Sequence, residues 1–307
     1  MISVIIIVKN DRGIENTLNS LKKVKKPEKT EIIVVDASEG ALDDIKKKFP
    51  KVRWIYFHNK TDKEITIPEQ RNLGIKKSKR DIIVFIDAGC TADKRWLKEL
   101  IRPIREENET FVTGMVKSIN EEKTHDVTWK KLKNCKYRND AGSANTAFMK
   151  KIIGKIGHYD ENFYYGSDIE FSYRAKKGGY KLRYNPKAII FHDWGSLKQE
   201  LKRGFRYGEA SIIIYKKHRD KLYNLFKLKE NLFTFYALGF FIYVIFIPII
   251  SFFWIGYPIF LLIPFFKNIK NNPLRKLLFD FFWGFGVLKE LIFPSNYKIK
   301  NNNDPQK

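Results

Sequence analysis

Asp81-Ile82-Ile83-Val84-Phe85-Ile86-Asp87-Ala88-Gly89 is the stretch that decides the fold. Five apolar residues stand between two aspartates, and a small residue, a glycine and Cys90 follow at once. A run of that length with polar ends reads as a strand buried on both faces of a sheet. In open α/β sheets, ligands gather beyond the carboxyl ends of such strands. Asp87 therefore stands where a carboxylate is expected to meet a ligand.

Strands and helices alternate on both sides of it. Ile2–Val8 is an apolar strand, and Ile14, Leu18 and Leu21 then recur at helical spacing. Glu31–Val35 is a second strand ending on Asp36-Ala37-Ser38, and Leu42, Ile45 and Phe49 mark a helical face before Pro50. Val52–Phe57 is a third strand, and Glu69–Lys79 a helix preceded by Pro68. Beyond the Asp87 strand, Trp96, Leu97, Leu100, Ile101 and Ile104 form another helical face, with Thr91 or Asp93 as its cap. The alternation predicts a mainly parallel sheet with helices on both faces.

From about Phe111 the periodicity fades. Asn120–Asn139 reads as a loop or a short helical excursion, Ala144–Met149 as a strand, and Asp168–Lys177 as a helix ending at Gly178-Gly179. Lys181–Tyr184 and Ala188–Phe191 read as two short strands flanking Pro186. Leu197–His218 reads as a basic, partly amphipathic helical region, whose continuity Gly204 and Gly208 weaken.

Composition narrows the function classes. A chain of 307 residues holds one large or two medium domains. The formal charge of +24 favours phosphorylated substrates, an anionic membrane surface or nucleic acid, although lysines spread along the chain also suit an ordinary surface. No nucleic-acid-binding module is recognisable, so nucleic acid is not expected as a partner. Cys90 and Cys135 form neither a close pair nor a CxxC, which argues against a disulfide framework or zinc site and fits a reducing compartment. Met1 runs directly into an apolar strand without a basic stretch or cleavage site, so it does not read as a signal peptide.

Between Phe233 and Phe266 there is no charged residue. One span needs about 20 residues and two about 40, so the segment fits one long span or a tight hairpin. Pro248, Pro258, Pro264 and Gly256 favour a break, and Lys227, Lys229, Lys267, Lys270, Arg275 and Lys276 flank both ends. Positive residues on both flanks predict that both face the cytoplasm, hence a hairpin. Leu277–Phe293 carries Asp280, Lys289 and Glu290 and suits an interfacial helix, the alternative being a buried helical pair in a soluble protein.

Three carboxylates close strands or open helices: Asp36, Asp87 and Asp168. Each alone also reads as a turn former or a helix cap. In order with their neighbours they form a series that resembles family 2 glycosyltransferases, inverting enzymes of the GT-A fold. Ser3-Val4-Ile5-Ile6-Ile7-Val8-Lys9-Asn10 resembles that family's opening strand, and Val34-Val35-Asp36-Ala37-Ser38 its second strand and aspartate turn. Gln70-Arg71-Asn72-Leu73-Gly74 resembles the Ala-Arg-Asn-x-Gly helix. Phe85-Ile86-Asp87-Ala88-Gly89 falls where the Asp-x-Asp motif lies. Gly157–Phe163, then Gly166-Ser167-Asp168 through Arg174, is similar to the acceptor-side Glu-Asp region, and Pro186 through His192 to the strand that ends on a late histidine. The likeness covers roughly residues 2 to 208.

The resemblance implies a GT-A domain, an α/β fold with a Rossmann-like mixed sheet, followed here by a C-terminal hydrophobic helical membrane segment. Residues 1–115 would bind the nucleotide-sugar and 116–225 the acceptor. Residues 231–293 would lie at the membrane, as a hairpin over 233–266 and an interfacial helix over 274–293, with a polar tail over 294–307. The donor would meet Val8, Asp36, Arg71 and Asp87. A divalent cation, Mg²⁺ or Mn²⁺, would be held by Asp87 and His192, hard or borderline ligands suited to a departing diphosphate. His192 also reads as a strand-end histidine packed on Trp194. Asp168 would be the catalytic base that takes the proton from the acceptor hydroxyl. Three positions depart from the pattern: Ala37, Gly89 and Ser167 stand where the family carries acidic residues. The expected function is sugar transfer from a nucleotide-sugar donor, with inversion, to a lipid-linked or glycan acceptor at the cytoplasmic face of the cell membrane, in contact with membrane lipid. The alternative is a catalytically silent GT-A domain serving as a membrane scaffold.

Overall fold

The Asp87 strand lies inside a nine-stranded mixed sheet in the computed structural model, which describes residues 1–27, 29–58, 66–119, 135–218, 239 and 273–295. The chain divides into two units, Met1–Asp193 and Trp194–Lys307.

In the first unit the strands are β1 (Ile2–Val8), β2 (Thr30–Asp36), β3 (Arg53–Tyr56), β4 (Ile82–Ile86), β5 (Thr91–Ala92), β6 (Phe111–Ser118), β7 (Tyr137–Arg138), β8 (Asn145–Met149) and β9 (Leu182–His192). Their order is β3-β2-β1-β4-β8-β6-β9-β5, with β7 on the side of β9. The first four strands pair in parallel, as the βαβ alternation requires. The expectation of a mainly parallel sheet holds there and for β6 beside β9, but β8 runs antiparallel between β4 and β6, and β5 and β7 run antiparallel to β9. Helices α1 (Ile14–Lys23), α2 (Asp43–Lys48), α3 (Ile67–Lys77), α4 (Trp96–Glu106), the single turn α5 (Ile153–Ile156) and α6 (Ser167–Lys177) complete the unit.

All five residues of β4 are buried, as a strand covered on both faces must be. An aromatic cluster fills one face: Tyr159 stacks on Phe171 with centroids 4.2 Å apart, Phe171 meets Phe148 at 5.4 Å, and Phe85 meets the Tyr159 ring edge-on at 5.9 Å. Burying each such side chain contributes about 1.5–3 kcal/mol. The other face carries α4, whose Trp96 donates from Nε1 to Asn145 Oδ1 at 2.8 Å, while the Asn145 amide donates to the Met115 and Ala188 carbonyls. One buried, fully used amide thus ties β6, β8, β9 and α4 together.

Several local expectations change. The Phe111–Ser118 region is a central strand with nearly every residue buried, so it lacks the alternation that marks a half-exposed strand. The two short strands around Pro186 are one strand, β9, whose register against β6 shifts between Gly114 and Met115. A bulge of this kind is where a sheet tolerates proline. A side chain on Gly114 would run into the Ala188 carbonyl. Neither Thr91 nor Asp93 caps α4: Thr91 belongs to β5, and Asp93 accepts the Arg95 N–H ahead of the helix.

In the second unit, α7 (Leu197–Lys217) and α8 (Pro273–Ile292) pack on each other. A full capping box starts α7: Ser196 Oγ accepts from Gln199 N–H, and Gln199 Oε1 accepts from Ser196 N–H. The helix runs unbroken through Gly204 and Gly208 because these glycines let the α8 backbone approach at Phe279 and Trp283, as Gly286 does toward Phe205. Lys289 pairs with Glu209 at 2.8 Å, Lys216 with Glu290 at 3.5 Å, and Arg275 with Glu200. Lys289 and Glu290 therefore serve the helix pair, and Leu274, Phe282, Phe285 and Ile292 are left exposed. Among the described residues no helix is long and apolar enough to cross a membrane. The expected hairpin over 233–266 lies, apart from residue 239, outside the described residues.

Candidate active site

The carboxyl ends of β1, β2 and β4 meet on one edge of the sheet. The register pairs Val8 with Asp36 and Ile5 with Phe85, so Val8, Asp36 and Asp87 reach the same end. Val8 is buried, and its carbonyl accepts from Ala37 N–H at 2.9 Å. Asp36 is also buried, and its Oδ1 accepts from Ser38 N–H at 2.8 Å, the self-made turn that short carboxylates favour. The Gln70 amide, in the orientation that satisfies its neighbours, donates to the Val8 and Val35 carbonyls at 3.3 and 3.2 Å. That contact fixes α3 against these strand ends.

Two segments far apart in sequence close over β4. On α3, Arg71 is 6% exposed; its guanidinium donates to Ser167 Oγ at 3.1 Å and lies over the Tyr159 ring, 5.3 Å from the centroid. Its Nε has no partner among the described residues. Asn72 holds the Tyr159 segment through both backbone groups, donating to the Tyr159 carbonyl and accepting its N–H, each at 2.9 Å. The serine found in place of the family's glutamate therefore serves as the partner of Arg71.

Asp168 lies in the first turn of α6, a position that favours acidic side chains. It is not the cap; Gly166 is, with φ 73°. The Asp168 Oδ2 instead accepts from Ser143 N–H at 3.1 Å and from Ser143 Oγ at 3.5 Å. Since Asn145 opens β8 opposite Ile86, this contact brings Asp168 to the end of the Asp87 strand. Behind it, Glu170 is 0% exposed and bidentate to Arg174, which also donates to the His158 carbonyl at 2.7 Å. That buried pair fixes the start of α6 against the loop that carries Tyr159.

His192 ends β9. The pairing of Thr91 with Phe191 brings the loop after Asp87 back to it, and Ser118 pairs with His192 on the other side. Although Asp87 is only half-buried as a residue, burial of its carboxyl is the largest influence on it and holds it above the usual carboxylate range. Arg71 and His192 oppose that shift, and Asp168 adds to it. Three of the expected groups, Arg71, His192 and Asp168, thus act on the Asp87 carboxyl. A raised carboxyl beside an imidazole is a group whose charged form a cation would stabilise, and the oxygen and nitrogen donors suit Mg²⁺ or Mn²⁺. Among the described residues no three His, Cys, Asp or Glu side chains gather into a complete metal site, so diphosphate oxygens and water would supply the remaining ligands.

Sequence reasoning passed over Ser143, Tyr159 and the structural part of Asn72. Ser143 carries no motif. Asn72 and Tyr159 both lie inside motif stretches, where the signal was present but a backbone clamp between them was not readable.

A mixed sheet with a carboxylate at the end of its fourth strand and a second one on a later helix defines a GT-A-like sugar-transferring domain. The sequence matches Glycosyl transferase family 2 over residues 3–167, and the chain belongs to that family. It is a glycosyltransferase. Glycosyltransferase AglE of Haloferax volcanii is 26% identical over 243 residues, covering 74% of this chain and 78% of that protein. The pre-mycofactocin glycosyltransferase of Mycobacterium tuberculosis is 24% identical over 49% of this chain, which spans only 35% of that relative's length. The mannosyltransferase PcManGT from Pyrobaculum calidifontis, solved with GDP-Man and Mn2+, superposes with a TM-score of 0.69 at 14% identity, covering 94% of this chain and 86% of that one, and is similar in fold.

Proposed function

We propose that the protein moves a sugar from a nucleotide-sugar donor to an acceptor hydroxyl with inversion, in the synthesis of a cell-surface glycan or glycolipid. The observation that carries this reading is the convergence of Asp87, Arg71, His192 and Asp168 at the end of β4. Asp36 and Val8 shape the nucleoside end, and Arg71 contributes positive charge toward the diphosphate. Asp87 and His192 would hold a divalent cation, which when bound supplies positive charge to the departing diphosphate. Asp168, oriented by Ser143, accepts the proton of the acceptor hydroxyl as its oxygen attacks the anomeric carbon from the face opposite the leaving group. On this reading residues 1–115 hold the donor and residues 116–225 the acceptor.

The acceptor proposed is lipid-linked or a glycan at the cytoplasmic face of the cell membrane. Its support is the +24 charge, the charge-free sequence over 233–266 and the exposed Leu274, Phe282, Phe285 and Ile292 of α8. The test is incubation of the purified protein with UDP- and GDP-sugars, Mn2+ and a polyprenyl-phosphate glycan, reading the product's anomeric configuration by NMR. Configuration opposite to the donor is expected; retained configuration would overturn the mechanism.

A further inference from the structure

Arg71 is a buried cation with little to pair with. It is 6% exposed, and among the described residues its guanidinium makes one hydrogen bond, 3.1 Å to Ser167 Oγ, and no ion pair. Its Nε has no partner there either. The carboxylates of α6 are engaged elsewhere, Asp168 with Ser143 and the Ile169 N–H, and Glu170 with Arg174. Arg71 acts on Asp87 through space, with no hydrogen bond or ion pair between them. A charge taken out of water in this way is costly to a fold unless an anion joins it.

The surroundings of Arg71 hold it in place without neutralising it. Tyr159 lies against the guanidinium, stacks on Phe171 at 4.2 Å and is tied to Asn72 through its backbone. Ser167 is 3% exposed and is the first residue of α6, after the left-handed turn at Gly166. Its oxygen accepts from Arg71, and a hydroxyl that accepts keeps its own O–H to donate. A carboxylate at this position would only accept, and would neutralise Arg71 itself. A planar guanidinium with open N–H groups matches the oxygens of a phosphate. We infer that Ser167 is a positioning residue for the donor: it fixes the Arg71 guanidinium and leaves its positive charge for the nucleotide diphosphate. This rests on the nucleotide-sugar reading of the site.

The test is calorimetric binding of UDP and GDP to the full chain, beside uridine and guanosine, which lack the diphosphate. Ser167→Asp sets a carboxylate against Arg71. It is expected to weaken nucleotide binding about tenfold or more, because like charges brought together are strongly unfavourable, and to leave the nucleoside within about twofold. Ser167→Ala removes only the hydroxyl and should weaken the nucleotide about threefold, again sparing the nucleoside. A residue that merely shapes the fold would shift nucleotide and nucleoside together. If Ser167→Asp fails to fold, Ser167→Ala decides alone. Unchanged nucleotide affinity in either folded variant, or equal weakening of nucleotide and nucleoside, would overturn the inference and leave the donor reading standing. A wild type that binds neither UDP nor GDP would overturn both.

Discussion

Replacing Asn72 with Ala removes the clamp that joins α3 to the Tyr159 segment. Two hydrogen bonds to the Tyr159 backbone are lost, from Nδ2 to its carbonyl and from its N–H to Oδ1, each 2.9 Å long. Tyr159 is buried, so its N–H and C=O are left without a partner, at about 1–3 kcal/mol each. Asn72 itself is half-buried and water can reach part of the gap, which places the sum near the low end, about 2–3 kcal/mol. The third bond, from Nδ2 to Glu161 at 2.8 Å, is exposed and adds little. Urea unfolding followed by circular dichroism should show that loss for Asn72→Ala, against a change within about 0.5 kcal/mol for Glu161→Ala. The Tyr159 ring supports Arg71, so UDP- or GDP-sugar affinity should fall as well. A destabilisation below about 0.5 kcal/mol would refute the clamp.

Arg174→Met leaves Glu170 buried without its bidentate partner and should destabilise by about 3–5 kcal/mol, read from the urea midpoint. Gly208→Val forces a side chain into the α8 backbone at Trp283; a loss of about 1–3 kcal/mol or more is expected, seen as a lower melting temperature. Burial alone would raise the Glu31 carboxyl, but the Ser3 hydroxyl, the Lys79 N–H, Arg53 and Arg80 outweigh it and hold it below its ordinary value of 4.5. A depressed carboxyl stabilises the fold above its unfolded value and loses that contribution as pH falls through the folded one. Glu31→Gln should therefore cost stability at pH 7 and flatten the acid side of the stability profile below about pH 4.5; an unchanged acid slope would contradict this.

The parallel half of the fold was readable because its strands are unbroken apolar runs separated by helical periods, as at Ile2–Val8 and Ile82–Ile86. The later half was harder for a physical reason. Phe111–Ser118 is buried on both sides and shows no alternation, and the bulge opposite Pro186 hides one strand as two. At the site, Asp87, Asp168 and Arg71 were legible from ordered motifs, and the structure brings them together. Their supports were not. Ser143 reaches Asp168 only because β8 turns back antiparallel beside β4, and Ser167 reaches Arg71 only because the start of α6 folds back against α3. The meaning of Gly89 changed most: in sequence it is an absent carboxylate, in the fold a left-handed turn.

Asp168→Asn tests the proposed chemistry most directly. The amide keeps an oxygen for the Ser143 N–H but cannot accept the acceptor's proton. Transfer from UDP- and GDP-sugars with Mn2+, measured beside donor binding, should fall by about 10²–10⁴ while binding stays within a few fold. Near-wild-type transfer by Asp168→Asn would contradict the assignment.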